Sequence, residues 1–484
     1  MGMQRSAGRT FRKATSKMMK STLSAFLRRT PARQSWRQTA ACLLVCGATG
    51  PAWLAADEPA PAGGQATVEA VYVLDDQPLP LPRGVDRQRA GRYRLGGLSD
   101  LVALGEGKGR GTRFLAITDR GPNAEVFIES PTGEPARRLR TLPVPEFSPV
   151  LLELKLVEAH GRRRDRATDA PPHGRIEVTS ARPLRTASGK PTSGRPVAPR
   201  PLDAPVFDPR TGLPLPPDPD GYDTEGLARL PDGTLWIAEE YLPSLGRLSG
   251  EDRIVQRHVP IGTGPLANGP LAPGPVAADA IVSHTLPEAL ARRRENRGFE
   301  ALAASRDGRR LYALMQSPAA TDGGPGIDAA LIEFDPRGGT TIAEHAYRLG
   351  DPGDTDADAI RAADGKLSAL TVLDDGALLV VEQSATESRL YRVALPAAGG
   401  KTGAALDKTL VADLLPLVPR LARDIDSGSE PPARPADLKI EGLAWLGDGR
   451  VAIVNDNDFD IAAADAGKAA ARRSCLWILR VPHP

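Results

Sequence analysis

Apolar positions along this chain fall in short alternating runs separated by Gly-rich turns, and one such unit recurs five times. Its fullest copy is residues 220–241, DGYDTEGLARLPDGTLWIAEEY. Residues 226–230 alternate and end in Pro-Asp-Gly, and residues 234–238 are apolar and β-prone, which predicts two antiparallel strands joined by a tight turn. The other copies open at 96–102, 299–303, 367–372 and 440–445, with second strands at 114–118, 311–315, 378–381 and 451–454. Most are followed by two more strand-like runs, so the repeat reads as a four-stranded sheet. Radially repeated four-stranded sheets define a β-propeller, and the predicted fold is an all-β propeller of about five blades. Residues 160–220, rich in Arg and Pro and poor in periodicity, read as a long surface excursion with room for a sixth.

The last copy lacks a fourth strand, while residues 68–74 (VEAVYVL) are a spare strand at the other end. Pairing of the N- and C-terminal strands is therefore expected to close the ring and remove its open edges. Low aromatic content with 49 Gly and 46 Pro suits this turn-rich architecture.

Charge divides the chain. Residues 1–38 hold ten Lys/Arg and no acid; taking those ten from 62 leaves 52 basic against 60 acidic residues, a net of −8 for the rest. A mildly acidic body argues against a nucleic-acid partner and leaves room for bound cations. A long basic region, a short apolar run at 39–56 and Ala55-Ala56 before Asp57 read as an export signal over 1–56, followed by a Pro/Ala/Gly linker at 57–66 and the propeller domain at 67–484. The apolar run is too short and broken for a stable membrane span. Periplasmic or secreted location and a monomeric state are expected. Cys42 and Cys46 fall in the leader, which leaves Cys475 as the single thiol of the body and no intramolecular disulfide.

In an antiparallel hairpin the start of the first strand and the end of the second share one edge. Aligning the copies on Leu98, Leu227, Leu302, Leu370 and Leu443 puts Gly96, Glu225, Glu300, Ser368 and Glu441 in a first slot, two residues earlier. Thr118-Asp119, Glu239-Glu240, Met315-Gln316, Glu382-Gln383 and Asn455-Asp456 fill a second slot on the same rim. The Asp-Gly turns belong to the opposite rim, where they are turn chemistry. So many hard oxygen ligands point to a divalent metal, Ca²⁺ before zinc or copper. The expected metal ligands are Glu225, Glu240, Glu382, Glu441, Asn455 and Asp456, with Glu300 and Asp119 as catalytic groups. Arg120, the lone basic residue in these slots, is the candidate for a bidentate hold on a phosphate or carboxylate, against a salt bridge to a rim acid. No histidine adjoins a slot and no Gly-x-Ser-x-Gly elbow occurs, which argues against a Ser-His-acid hydrolase. Asp354-x-Asp356-x-Asp358 lacks the Gly of a calcium loop, and Gly400-Lys401-Thr402 lacks the first Gly of a P-loop.

Gly96-Gly97-Leu98-Ser99, Asp119-Arg120-Gly121-Pro122, Asp223-Thr224-Glu225-Gly226-Leu227, Asn296-Arg297-Gly298-Phe299-Glu300, Lys439-Ile440-Glu441-Gly442-Leu443 and Asn455-Asp456-Asn457-Asp458-Phe459 together resemble the phytase-like family described as "esterase-like activity of phytase". The resemblance covers roughly residues 68–482 and implies an exported propeller that hydrolyses phosphate or other esters of small molecules. Metal-assisted phosphoester hydrolysis is the leading expectation. A lactonase or other esterase on the same metal site, and a non-catalytic ligand- or partner-binding propeller, are the alternatives. The long insertion at 160–200 is the departure from the family pattern.

Overall fold

The structure is a computed structural model. It describes residues 64–482 apart from 83–84, 86–90, 107–111, 129–136, 159–171, 198–204, 264–277, 322–323, 351–364, 397–404, 426–437 and 462–471. The proposed export signal, most of the linker, the Asp354 acidic loop and Gly400-Lys401-Thr402 lie outside the described residues.

Five four-stranded blades form the ring. Blade I comprises Leu98–Glu106, Thr112–Thr118, Val150–Glu158 and His173–Pro183. Blade II comprises Thr224–Arg229, Leu235–Glu239, Ser244–Leu248 and Arg253–Pro260, and blade III Phe299–Ala304, Leu311–Met315, Asp328–Asp335 and Thr340–Arg348. Blade IV comprises Lys366–Val372, Leu378–Gln383, Ser388–Val393 and Lys408–Asp413. Blade V takes Ile440–Gly447, Arg450–Asn455 and Cys475–Arg480 from the C-terminal end and Thr67–Leu74 from the N-terminal end.

That last pairing is the expected closure: Val71 lies opposite Trp477 in an antiparallel ladder. The innermost strands touch in cyclic order, with blade V returning to blade I. Residues 160–220 hold more order than their composition shows. His173–Pro183 pairs with Val150–Glu158 as the outer strand of blade I, and its far edge runs parallel to Thr67–Leu74. Among the described residues no sixth blade is formed there; Val206–Asp208 instead joins Arg137–Thr141 in a small side sheet. The segment was hard to read because its outer strand, half-exposed and Arg-bearing, buries only one face.

Large side chains fill the spaces between blades. Trp236, Phe299, Leu302 and Phe334 pack between blades II and III, and Leu379, Val381, Leu443 and Trp477 between blades IV and V. At the centre the backbones approach so closely that a Cβ on Gly226 would lie 2.7 Å from the Leu302 nitrogen. Buried Asp100 ties the ring there: its Oδ1 accepts from the Leu101 amide and its Oδ2 from the Leu227 amide of blade II, both at 2.8 Å.

Each inner strand carries the same irregularity near its start. Pairing with the second strand skips one residue: Ser99, Glu225, Glu300, Ser368 and Glu441 in blades I to V. A bulge bends a strand and re-aims its side chain. The five bulges correct the expected alignment in blade I. Leu101, opposite Ala116, is the counterpart of Leu227, opposite Ile237, so Ser99 and not Gly96 occupies the first slot.

Candidate functional site

The bulges and the residues just past the second strands share one rim, and there a cavity of about 240 Å³ opens. Asp119, Glu225, Glu240, Glu300, Glu441 and Asp456 line it from four blades. All six are buried, none more than 6 % exposed. A repeated backbone bond fixes the strand ends: the amides of Asp119, Glu240, Gln316 and Asp456 donate to the carbonyls of Gly97, Asp223, Gly298 and Lys439. Those acceptors sit two residues before the bulge and form a third slot. In blades IV and V that slot holds Lys366 and Lys439, both lining the cavity.

Carboxylate crowding is greatest between blades I and II. Asp119, Asp223 and Glu225 each offer an oxygen, all within 4.8 Å of one another. Burial pushes Glu225 well above the usual carboxylate range, and Asp119, Asp223, Glu300 and Glu240 add repulsion. Asp223 is raised well above that range too, by burial first, with Arg120 opposing. Glu300 is raised for the same reason, against the pull of Lys366 and a hydrogen bond of 2.5 Å from Gln316 Nε2. One oxygen on each of Asp223, Glu240 and Glu300 is buried without a hydrogen-bond partner.

The other side of the cavity is compensated. Lys366 Nζ donates to Glu441 Oε1 at 2.8 Å, and Lys439 Nζ donates to Asp456 Oδ2 at 2.6 Å and to Asp458. Burial would raise Glu441, but the two lysines outweigh it and hold the carboxyl below the ordinary value. Asp456 rises to about 7 through burial and the nearby Asp458, Asp119 and Glu441, which prevail over Lys439. Lys439, Asp458, Phe459 and Asp460 all have positive φ, between 48° and 53°. Such backbone costs of order 1–3 kcal/mol per residue and persists where the surroundings impose it.

Arg120 lines the cavity and is tied to its rim through one nitrogen. Its Nη1 donates to Asp223, to Asn296 Oδ1 at 2.8 Å and to Glu240 Oε2 at 3.5 Å, and its guanidinium lies 5.3 Å from the Tyr241 ring centre. It compensates the carboxylate cluster from below. Asn296, at φ 52°, also accepts from Arg140 Nη1 at 2.7 Å and so sits between two guanidiniums. Gly298 is needed beside it, because a Cβ there would meet the Glu240 carbonyl at 2.0 Å.

Two expected ligands are not brought to the cavity. Glu382 accepts from the Tyr347 hydroxyl at 3.2 Å, the Gly350 amide at 2.5 Å and Lys408 Nζ at 2.8 Å. Asn455 accepts from the Cys475 amide at 2.7 Å and donates to the Arg473 carbonyl at 3.2 Å. Both lie opposite the residue just before the bulge, like Glu239, whose oxygens are saturated by backbone amides and Arg257. Successive strand residues face opposite ways, so it is the following residue that reaches the cavity in blades I, II, III and V. Asp223, Lys366, Lys439 and Arg140 escaped assignment; the i−2 offset from each bulge was the available signal for the first three.

Fold and rim together define a five-bladed propeller with a buried, carboxylate-rich cavity at one mouth. The family model described as "Phytase-like: Esterase-like activity of phytase" matches residues 93–459, and the chain belongs to that family. An "Uncharacterized secreted protein" of Arthroderma benhamiae is 33% identical over 135 residues, a match spanning 26% of each chain. Among solved structures, the PQQ-bound form of aldose sugar dehydrogenase from Streptomyces coelicolor is 12% identical with a TM-score of 0.29, over 87% of this chain and 100% of that one. Virginiamycin B lyase from Staphylococcus aureus is 10% identical with a TM-score of 0.28, over 75% and 80%.

Proposed function

We propose that this protein is an exported hydrolase that cleaves phosphate esters at the propeller mouth with the help of a divalent cation. The observation that carries this is the set of buried carboxylate oxygens without partners on Asp223, Glu240 and Glu300, beside the Asp119–Asp223–Glu225 cluster. Native proteins rarely leave buried acceptors unpaired. Oxygens within 4.8 Å of one another suit a cation with ligands at roughly 2.3–2.6 Å, which favours Ca²⁺. Asp119, Asp223 and Glu225 would hold it, with Glu240 and Glu300 beside them.

When bound, the cation supplies charge neutralisation at the phosphoryl group and a more acidic water. The chain's own groups do the rest. Arg120 fixes Asp223 and Glu240 in place, so its contribution is positioning. Glu300, which lines the cavity and has one buried oxygen unpartnered, is the candidate to receive a proton as general base. Burial of the whole set excludes bulk water and strengthens each electrostatic contact. Export is supported by the basic and apolar N-terminal pattern and by the secreted relative. Among the described residues no helix is long and apolar enough to cross a membrane.

The test is hydrolysis of p-nitrophenyl phosphate by the purified chain, with calcium and after EDTA. The expected result is turnover that disappears with chelator and returns with calcium; undiminished activity in excess EDTA refutes the metal role.

A further inference from the structure

The cavity is divided electrically, and the division bears on the size and charge of what it accepts. Its carboxylate cluster comes from blades I and II. Across the ring, blade IV contributes Lys366 and blade V Lys439, and the loop entering blade III contributes Arg297. Lys366 has three N–H donors and gives one to Glu441. Its side chain is 16% exposed, that of Lys439 27%. Arg297 carries a buried Nη1 with no hydrogen-bond partner. Arg294 beside it is held below the ordinary arginine range by burial and by the charge of Arg297.

Size and total charge restrict that anion. About 240 Å³ is the share of roughly eight waters, below the range of about 300–1,000 Å³ typical for larger ligands. Nine carboxylates and five cationic side chains line the space. A polyanion entering it meets more negative than positive groups, and Lys366, Lys439 and Arg297 are the cations that lie away from the Asp119–Asp223–Glu225 cluster.

We propose that Lys366, Lys439 and Arg297 form a subsite for a single phosphoryl group, and that the substrate class is small monophosphate esters, not polyphosphorylated ones. This rests on the hydrolase reading above, with the phosphoryl group lying between the three cations and the carboxylate cluster of one small cavity. One phosphoryl group places its oxygens against the N–H groups of Lys366 and Arg297 while its ester oxygen faces Glu300 and the carboxylate cluster. Charge-assisted donors of this kind are short, directional and sensitive to loss of a single guanidinium.

The experiment is calorimetric titration of the full chain with inorganic phosphate, glycerol phosphate and phytate, in calcium-loaded and EDTA-treated samples. Calcium titration of the same samples reports the cation end separately. The expected result is glycerol phosphate binding at least about tenfold tighter than phytate, with Arg297→Gln and Lys366→Met each weakening phosphate about tenfold or more. Lys366→Met leaves Glu441 without its partner, so Lys366→Arg serves as the folding control and is expected to retain binding. Phytate binding as tightly as glycerol phosphate, or phosphate affinity unmoved by Arg297→Gln, overturns the proposal. If calcium fails to bind while phosphate still depends on Arg297, the subsite stands and the metal reading falls.

Discussion

Replacing Glu225 by Gln should stabilise the metal-free protein while abolishing most of its response to calcium. The reasoning starts from a side chain that is 6% exposed and lies against Asp119 and Asp223. Four acids surround it, and they and burial push its carboxyl well above the ordinary range. Gln keeps the shape and removes the group whose ionisation the site opposes. Relief of a buried, uncompensated charge is worth about 1–3 kcal/mol, the scale of an unsatisfied buried polar group. With about 2.1 cal/mol/K per residue over the 424 residues of Pro61–Pro484, each kcal/mol moves Tm by about 1 °C. The metal-free variant should therefore melt about 1–3 °C above the parent. Calcium at a hundred times its Kd adds about 2.7 kcal/mol to the parent, or about 3 °C, and that increment should shrink to near zero in the variant. Scanning calorimetry of both proteins, with EDTA and with calcium, reads all four values. A metal-free variant less stable than its parent would mean that Glu225 caps structure and is not a repelled ligand, and would refute the argument.

Two further outcomes follow from the same charges. In the metal-free protein, Asp100, Asp223, Glu225 and Glu300 hold protons in the folded state at pH values where the unfolded chain has lost them. Their contribution is full below the ordinary carboxylate range and is lost as pH rises, with Asp456 following through about 7. His258, lowered to about 4 by burial, works in the opposite sense but only below its unfolded value of about 6.5. Urea midpoints in EDTA should therefore fall between pH 6.5 and 8.5, and a rise across that window contradicts the sign. Separately, Asp100→Ala orphans the buried Leu101 and Leu227 amides and should cost about 2–5 kcal/mol in urea denaturation; a loss under about 1 kcal/mol would show that the carboxyl does not tie blade I to blade II.

How much of this was legible in the chain depends on whether the signal was local. Each Asp-Gly turn is written in adjacent residues, as at Asp232-Gly233, where Gly233 has φ 90° and Asp232 accepts from the Thr234 amide at 2.8 Å. The blade count and closure by Thr67–Leu74 followed from such signals and from the need to cover an edge. The bulge is different, because it is a property of register between two strands and no single strand displays it. Leu98 looked like the counterpart of Leu227, yet its place opposite Thr118 makes it the counterpart of Thr224, opposite Glu239. The slip of three residues hid Ser99 and put Gly96 in its place.

The misassigned ligands have the same origin one level down. Glu382 and Gln383 are neighbours, but only Gln383 stands where Glu240 and Asp456 stand in their blades, and its amide goes to Ser368 Oγ and the Ile440 carbonyl. Blade IV therefore brings no carboxylate to the rim. It brings Lys366, which the pattern of acids gave no reason to seek. Once the register is fixed, the asymmetry becomes physical: blades I and II present carboxylates with one shared arginine, while the Glu441 and Asp456 of blade V are each matched to a lysine, Lys366 of blade IV and Lys439 of blade V. A lysine paired to an acid occupies the position a cation would take, so among the described residues acids are most in excess at one junction. That junction is Asp119, Asp223 and Glu225, three carboxylates beside the single guanidinium of Arg120.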